Sequence, residues 1–273
     1  MSTLARVRAP ATTANLGPGF DCAGVALDLW NEVEVSEGAE HSDLDHLGVR
    51  AFARIAPVEG LTFSFTDRIP RQRGLGSSAS VIALGLVAAC AISGKAPDPE
   101  ELLAGGLELE GHADNLAAAL AGGVCLTWDG RIERIADGVP AVPIAVVPES
   151  TVSTQEARAL LPSAVPHADA TFTAARAALL GAALASGSAE LLAEALDDRL
   201  HEPYRAAGTP LLRELRAQPP AGALGTTISG SGPTVIVWAA TGYEEACAGE
   251  LELRFPRANV VTLAVSPRGA HTC

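Results

Sequence analysis

The segment Arg73-Gly74-Leu75-Gly76-Ser77-Ser78-Ala79 combines the residue types that hold a polyphosphate. Glycines let successive backbone N–H groups close on an anion. The apolar run 81–92 that follows reads as a helix, whose unpaired N–H groups and positive dipole end would face that anion. The spacing is not that of a P-loop, because no lysine follows the second glycine, nor the Gly-x-Gly-x-x-Gly of a dinucleotide fold. A helix that merely starts on a serine cap after a turn has the same residues. This stretch alone leaves both readings open.

Other polar stretches carry useful side chains. Pro10-Ala11-Thr12-Thr13-Ala14-Asn15-Leu16-Gly17-Pro18-Gly19-Phe20-Asp21 and Ile228-Ser229-Gly230-Ser231-Gly232-Pro233-Thr234 are built from turn residues. Glu110-Gly111-His112-Ala113-Asp114-Asn115 places carboxylates and an imidazole at a helix entry. Thr151-Val152-Ser153-Thr154-Gln155-Glu156-Ala157-Arg158 sets Thr154 and Arg158 four apart, and Glu202-Pro203-Tyr204-Arg205 supplies a second cation. Taken singly, each defaults to a tight turn or a solvated surface charge.

The elements that would position these loops follow from periodicity. Residues 4–9 alternate as a strand stopped by Pro10, and 12–21 form a loop. Two strands follow, 23–27 and 29–35, then an acidic segment 37–45 and a weak helix 47–55. Strand 61–65 delivers the chain to the glycine turn. Helices 99–109 and 115–121 precede a hairpin, 124–128 with 131–135, turning at Asp129-Gly130. Beyond a junction at 140–143 come strand 144–147, helices 169–185, 189–200 and 210–216, and strands 222–229 and 234–239. Thr241-Gly242-Tyr243-Glu244 reads as a capping box opening a helix to 253, and 260–265 closes as a strand. Helices and strands mix without strict alternation, which indicates α+β in two halves, 1–143 and 144–273. No internal repeat is present.

Bulk properties restrict the partners. Hydrophobic residues at 48% with 19% charged indicate a globular chain with a sizeable core. A net charge of −13 argues against nucleic acid or an anionic membrane. An anionic substrate must therefore be captured by local dipoles, arginines and a metal ion, against the global field. The twelve-residue apolar run is short of the roughly 20 residues that cross a bilayer, and Met1-Ser2-Thr3-Leu4-Ala5-Arg6 has no signal core. Five scattered cysteines without a Cys-x-x-Cys argue against a disulfide framework or a zinc site. A cytoplasmic protein with reduced thiols is expected.

In order and content, the loops 10–21, 73–79 and 228–234 resemble the three motifs of the small-molecule kinases named for galactokinase, homoserine kinase, mevalonate kinase and phosphomevalonate kinase. Within that superfamily, Asn15-Leu16-Gly17-Pro18-Gly19-Phe20-Asp21 and Glu110-Gly111-His112-Ala113-Asp114-Asn115 are similar to the homoserine kinases. The likeness runs from Val7 to about Leu263. It implies a two-domain fold, with an N-terminal nucleotide-binding α+β domain, a C-terminal ferredoxin-like α+β domain, and the active site between them. It also implies ATP and Mg²⁺, with L-homoserine as the phosphoryl acceptor on the route to threonine. Neither nucleic acid nor membrane is an expected partner, and relatives are often homodimers.

The resemblance assigns roles residue by residue. Pro70, Arg71, Gln72, Arg73, Gly74, Leu75, Gly76, Ser77, Ser78, Ala79 and Ser80 match the ATP loop. Ser78, or Ser77, would face Mg²⁺. Glu110 is the metal carboxylate, with Glu108 second; magnesium keeps several waters and needs few protein oxygens. Asn15, Asp21, His112 and Asp114 match the amino-acid pocket, where two carboxylates suit an ammonium and His112 would donate to an oxygen. Arg158 and Arg205 would grip the substrate carboxylate through their planar forks, with Arg199 in reserve. Thr154 would orient or relay the hydroxyl proton. No aspartate base is assignable, so direct in-line transfer is expected. The third motif would be structural.

Two departures from the family pattern stand out. Arg71 and Arg73 occupy a normally small or glycine-rich approach. Asp43-Leu44-Asp45-His46-Leu47 replaces a stretch where relatives carry Asn, so no adenine contact is named. The rival readings are a kinase of another small alcohol, such as mevalonate, and a silent ligand sensor. A sensor would be expected to lose Glu110 or the second loop serine.

Overall fold

In the computed structural model, residues 2–38 and 43–273 are described, so part of the acidic segment 37–45 lies outside the described residues. Small and β-branched residues carry β1 (Thr3–Asn15) antiparallel along β2 (Gly19–Glu37). Pro10 does not stop the strand as expected. It sits where the register shifts between Pro10 and Ala11, an irregularity that tolerates a residue without an N–H. The expected open loop 12–21 shrinks to a hairpin turn at residues 16–18, and 23–27 and 29–35 form one strand.

The first sheet has the order β10-β1-β2-β4-β5, with β3 (Leu61–Thr66) also paired to β2. Here β4 is Val124–Trp128, β5 is Arg131–Ala136 and β10 is His271–Thr272. That last strand had no signal in the sequence, since two residues show no periodicity. The helix α2 (Ser77–Ile92) is buried continuously from Ala79 to Cys90. A helix apolar on all sides must be central. It packs against the first sheet, with α1 (Leu47–Phe52), α3 (Pro99–Glu110) and α4 (Ala113–Ala121) around it.

The second sheet is antiparallel in the order β7-β8-β6-β9: Ala223–Ile228, Val235–Ala239, Val142–Val147 and Asn259–Thr262. Numbered by chain order within the sheet this is 2-3-1-4, the ferredoxin-like arrangement. A shared apolar core joins the halves, with Leu16, Val25 and Leu27 packed in one cluster with Ala145, Leu180, Leu196 and Trp238.

Two helix expectations change, and one short helix had not been expected. The short α5 (Thr154–Ala159) is opened by a capping box of Ser153 and Glu156. The capping box expected at Thr241 does not form. There the Glu244 carboxylate takes the Gly242 N–H at 2.6 Å, and α10 (Glu244–Arg254) starts at Tyr243 without a side-chain cap. The helix expected over 189–200 ends early. After α6 (His167–Ser186), α7 is only Ala189–Ala195, because the Asp198 carboxylate takes the N–H groups of Leu200, His201 and Glu202. That cap starts the short α8 (Glu202–Arg205), ahead of α9 (Pro210–Ala217). The expected closing strand 260–265 ends at Thr262, and Val265 instead bridges to Leu27 of the first sheet.

Candidate functional site

Loops and helix ends of both halves of the chain line a cleft of about 440 Å³. Its floor is the glycine turn. Gly76 takes φ +65° and starts α2 without a side-chain cap, and the first turn holds no acid. The first bond of the helix runs from the Ser80 N–H to the Gly76 carbonyl, so the N–H groups of residues 77–79 have no helical partner. A positive dipole end is left uncompensated beside the cleft.

The turn fits only glycine. A Cβ at Gly76 would lie 1.8 Å from Thr12 Oγ1, and one at Gly74 would lie 2.1 Å from the Ser229 carbonyl. Gly76→Ala is therefore expected to cost about 1–3 kcal/mol from backbone strain alone, with the clash added. Urea unfolding and ATP titration would check this; an unchanged midpoint and affinity would contradict it.

The third motif braces this turn. Ser229 Oγ donates to the Gly74 carbonyl at 2.6 Å, the Gly230 N–H bonds the Ala14 carbonyl, and the Thr234 N–H reaches the Arg73 carbonyl. Gly230 and Ser231 also reach the cleft wall. Arg73 is a tether. Its guanidinium donates to the carbonyls of Pro148 (3.0 Å) and Glu149 (2.8 Å) of the other half, while Arg71 pairs with Asp67. Pro70, Arg71, Gln72, Arg73, Gly74, Gly76, Ser77 and Ser78 line the cleft, whereas Leu75, Ala79 and Ser80 are buried in the core. Ser80 Oγ is spent on the Ala9 carbonyl.

Glu110, at the end of α3, accepts from Ser78 Oγ at 2.9 Å. Burial pushes its carboxyl up to about 7, against the Ser78 hydrogen bond and with help from nearby Asp114. Glu108 lies elsewhere, exposed and paired with Arg54 at 2.6 Å. Asp114 is buried in the cleft wall and pushed up to about 6, chiefly by burial, although the Asn115 N–H donates to it. Asp21 sits at φ +57°, its N–H held by Asn15 Oδ1 at 3.0 Å. The Asn15 Nδ2 donates to the Gly230 carbonyl at 2.9 Å. Both ends of Asn15 thus shape the loop, and it reaches the cleft as a brace for Asp21.

Arg158 joins the halves. Its Nη2 donates to Asp21 Oδ1 at 2.7 Å and its Nε to His112 Nε2 at 2.6 Å. His112 Nε2 therefore accepts here. Burial and then the Arg158 charge lower its pKa, and the backbone of Glu110 engages its ring as well. Arg205 is buried, with Nη1 donating to the Gly230 carbonyl at 3.1 Å and Nε without a hydrogen-bond partner among the described residues. Burial and then Arg158 lower its pKa. Arg199 is not needed in reserve: it is exposed, pairs with Asp169 and lies over Phe172, outside the cleft lining. Thr154 opens α5 at the exposed rim.

Two oppositely charged pairs, Asp21 with Asp114 and Arg158 with Arg205, thus converge beside an anion-ready helix start. The lining also includes residues that sequence reasoning missed: His46, Leu47 and Val81, and Asn115, whose Oδ1 accepts from Thr12. His46 caps α1 and packs on Phe65 at 4.0 Å. Its place in the segment that departs from the family pattern was the one available signal.

Comparison with known proteins gives a consistent picture. Residues 45–123 match the family described as GHMP kinases N terminal domain, and 180–251 match GHMP kinases C terminal. A homoserine kinase of Gloeobacter violaceus is 40% identical, covering 96% of this chain and 97% of the relative. One from Streptomyces coelicolor is 43% identical, covering 86% and 84%. Among solved structures, a homoserine kinase from Cytophaga hutchinsonii superposes with a TM-score of 0.86 at 24% identity, covering 98% of this chain and 97% of that one. The mevalonate kinase of Methanococcus jannaschii gives 0.69 at 15% identity, covering 95% and 98%. At those identities the two superpositions establish the fold.

Proposed function

Because the chain belongs to the GHMP kinases, and within them to the homoserine kinases, we propose that its cleft transfers the γ-phosphoryl group of ATP to the hydroxyl of L-homoserine. The products are O-phospho-L-homoserine and ADP, a step toward threonine. The observation that carries this reading is the convergence of Asp21, Asp114, Arg158 and Arg205 in one cleft with the start of α2. An amino acid is a zwitterion, so a pocket offering two carboxylates and two guanidiniums complements both of its charged groups.

The phosphates of ATP would lie against the free N–H groups of residues 77–79, where the helix dipole favours negative charge. His46, Leu47 and Val81 would border the adenine at the far end of the cleft. Among the described residues no three His, Cys, Asp or Glu side chains gather into a metal cage. Mg²⁺ does not require one, and a half-buried carboxyl pushed up to about 7 fits a site completed by a cation. Glu110 and Ser78 would hold the ion, which would supply charge neutralisation on the transferred group.

The chain's own residues align the reaction. Asp21 and Asp114 would anchor the ammonium, while Arg158 and Arg205 fix the carboxylate, leaving the hydroxyl to point toward the phosphates. Thr154 would orient the hydroxyl proton from the rim. Thr154→Val is then expected to lower kcat by about 100-fold or more with KM little changed; a normal turnover number would remove Thr154 from that role. We take residues 1–143 as the nucleotide-binding domain and 144–273 as the C-terminal domain, with β10 returning to the first sheet. No helix among the described residues is long and apolar enough to cross a membrane. We place the enzyme in the cytoplasm, where ATP and reduced thiols are at hand.

Product identification tests the proposal. Incubation with Mg-ATP and L-homoserine should give a compound heavier by one phosphoryl group, carried on oxygen as a phosphate ester by phosphorus NMR. Phosphorylation elsewhere on the molecule, or none, would overturn it.

A further inference from the structure

Between Arg158 and Arg205 lies an aromatic pair outside the cleft lining. Phe20, at the start of β2, stacks on His201 with ring centroids 4.7 Å apart and planes 18° from parallel. The guanidinium carbons of Arg158 and Arg205 lie 5.6 Å and 5.2 Å from the Phe20 ring centre. One aromatic ring thus attracts two cations that otherwise repel each other.

His201 is fully buried and occupied at both ring nitrogens. Nε2 lies 2.8 Å from the Gly17 carbonyl and must donate to it. Nδ1 then accepts from Arg205 Nη1 at 3.3 Å. The ring is the neutral tautomer with its proton on Nε2, and burial favours that form. Asp198 fixes the His201 backbone N–H at 2.8 Å. Gly17 packs so closely that a Cβ there would lie 2.3 Å from the Leu196 carbonyl. The 16–18 turn of one half and the 196–205 segment of the other therefore meet through this pair.

We infer that Phe20 and His201 are positioning residues that set Arg158 and Arg205 as a single fork for the substrate carboxylate, and so determine selectivity for an amino acid over a simple amino alcohol. The inference rests on reading the two arginines as the carboxylate's partners. Phe20 supplies the common ring, and His201 orients Arg205 through its Nδ1.

The test compares L-homoserine with 3-amino-1-propanol, the same molecule without its carboxylate. The native enzyme should prefer homoserine by at least about 100-fold in kcat/KM. Phe20→Leu should cut that preference about tenfold, mainly through KM for homoserine, with KM for ATP changed less than about twofold. Phe20→Tyr, which keeps the ring, should restore it. His201→Gln can still donate to Gly17 and accept from Arg205, and should lose less preference than His201→Leu. Should the buried histidine variants fail to fold, the Phe20 pair carries the test alone. A native enzyme with no preference overturns the carboxylate reading itself. A native preference that Phe20→Leu leaves intact, or a Phe20→Leu that slows both substrates equally, overturns the inference.

Discussion

Arg158→Ala is expected to lower kcat/KM for L-homoserine by about 30-fold to several thousand-fold, the equivalent of about 2–5 kcal/mol. The guanidinium is held from two sides, by Asp21 at 2.7 Å and His112 at 2.6 Å, and only part of its donor set is used by them. Its truncation would leave a substrate carboxylate facing Arg205 alone, with the Asp21 carboxylate freed nearby. The protein itself should tolerate the loss. The Arg158 and Asp21 side chains are 35% and 42% exposed, and a pair that open to solvent contributes at most about 1 kcal/mol to folding. Steady-state kinetics together with a thermal melt separates the two effects. A normal KM and turnover would remove Arg158 from the site, and a collapsed melting temperature would make its role structural.

Glu110→Gln should lower kcat by about 100- to 1,000-fold, the scale on which single groups that stabilise transition-state charge act. The substitution keeps the shape and an acceptor for Ser78 Oγ, so only the charge is lost. A second readout needs no turnover. Burial raises the Glu110 carboxyl from 4.5 to about 7 in the folded protein. A group raised on folding contributes stability that is complete below its unfolded pKa and is lost as pH rises through its folded one. The metal-free protein should therefore melt lower at about pH 8 than at about pH 5.5, with a shallower fall in Glu110→Gln. Mg²⁺ at about pH 8 should raise the melting temperature of the native chain and leave the variant nearly unmoved. Equal Mg²⁺ stabilisation of both proteins would take Glu110 out of the metal site.

The parts of this protein that were legible in the sequence are those where a residue type answers a local backbone need. Gly76 must be glycine because of its positive φ and the Thr12 hydroxyl against it, and the serines after it open the most apolar helix. Such constraints act within a few residues, which is why the glycine turn could be read directly. What was not legible is which side chains the protein spends on itself. Asn15 is committed to Gly230, 215 positions away, and His112 to Arg158, 46 away. Both also line the cleft, where the resemblance assigns them to the substrate, and a motif gives the residue but not these protein partners.

Long-range pairing hides other features for the same reason. Pro10 reads as a strand stop, yet partner β2 accommodates it at a register shift. Arg199 and Arg205 are equivalent as letters; the Asp198 cap that starts α8 leaves Arg205 buried at the cleft and Arg199 outside with Phe172. The side of the cleft lined by His46 and Leu47 had no motif at all, since they reach it through the packing of α1 against α2.

The central claim is that the cleft reads an amino-acid alcohol. The most direct measurement is ADP release from Mg-ATP with a panel of hydroxyl compounds: L-homoserine, mevalonate, and simple alcohols. The cleft's paired aspartates and arginines predict ADP release dependent on L-homoserine. Release only with mevalonate or another alcohol lacking the amino-acid group would contradict it.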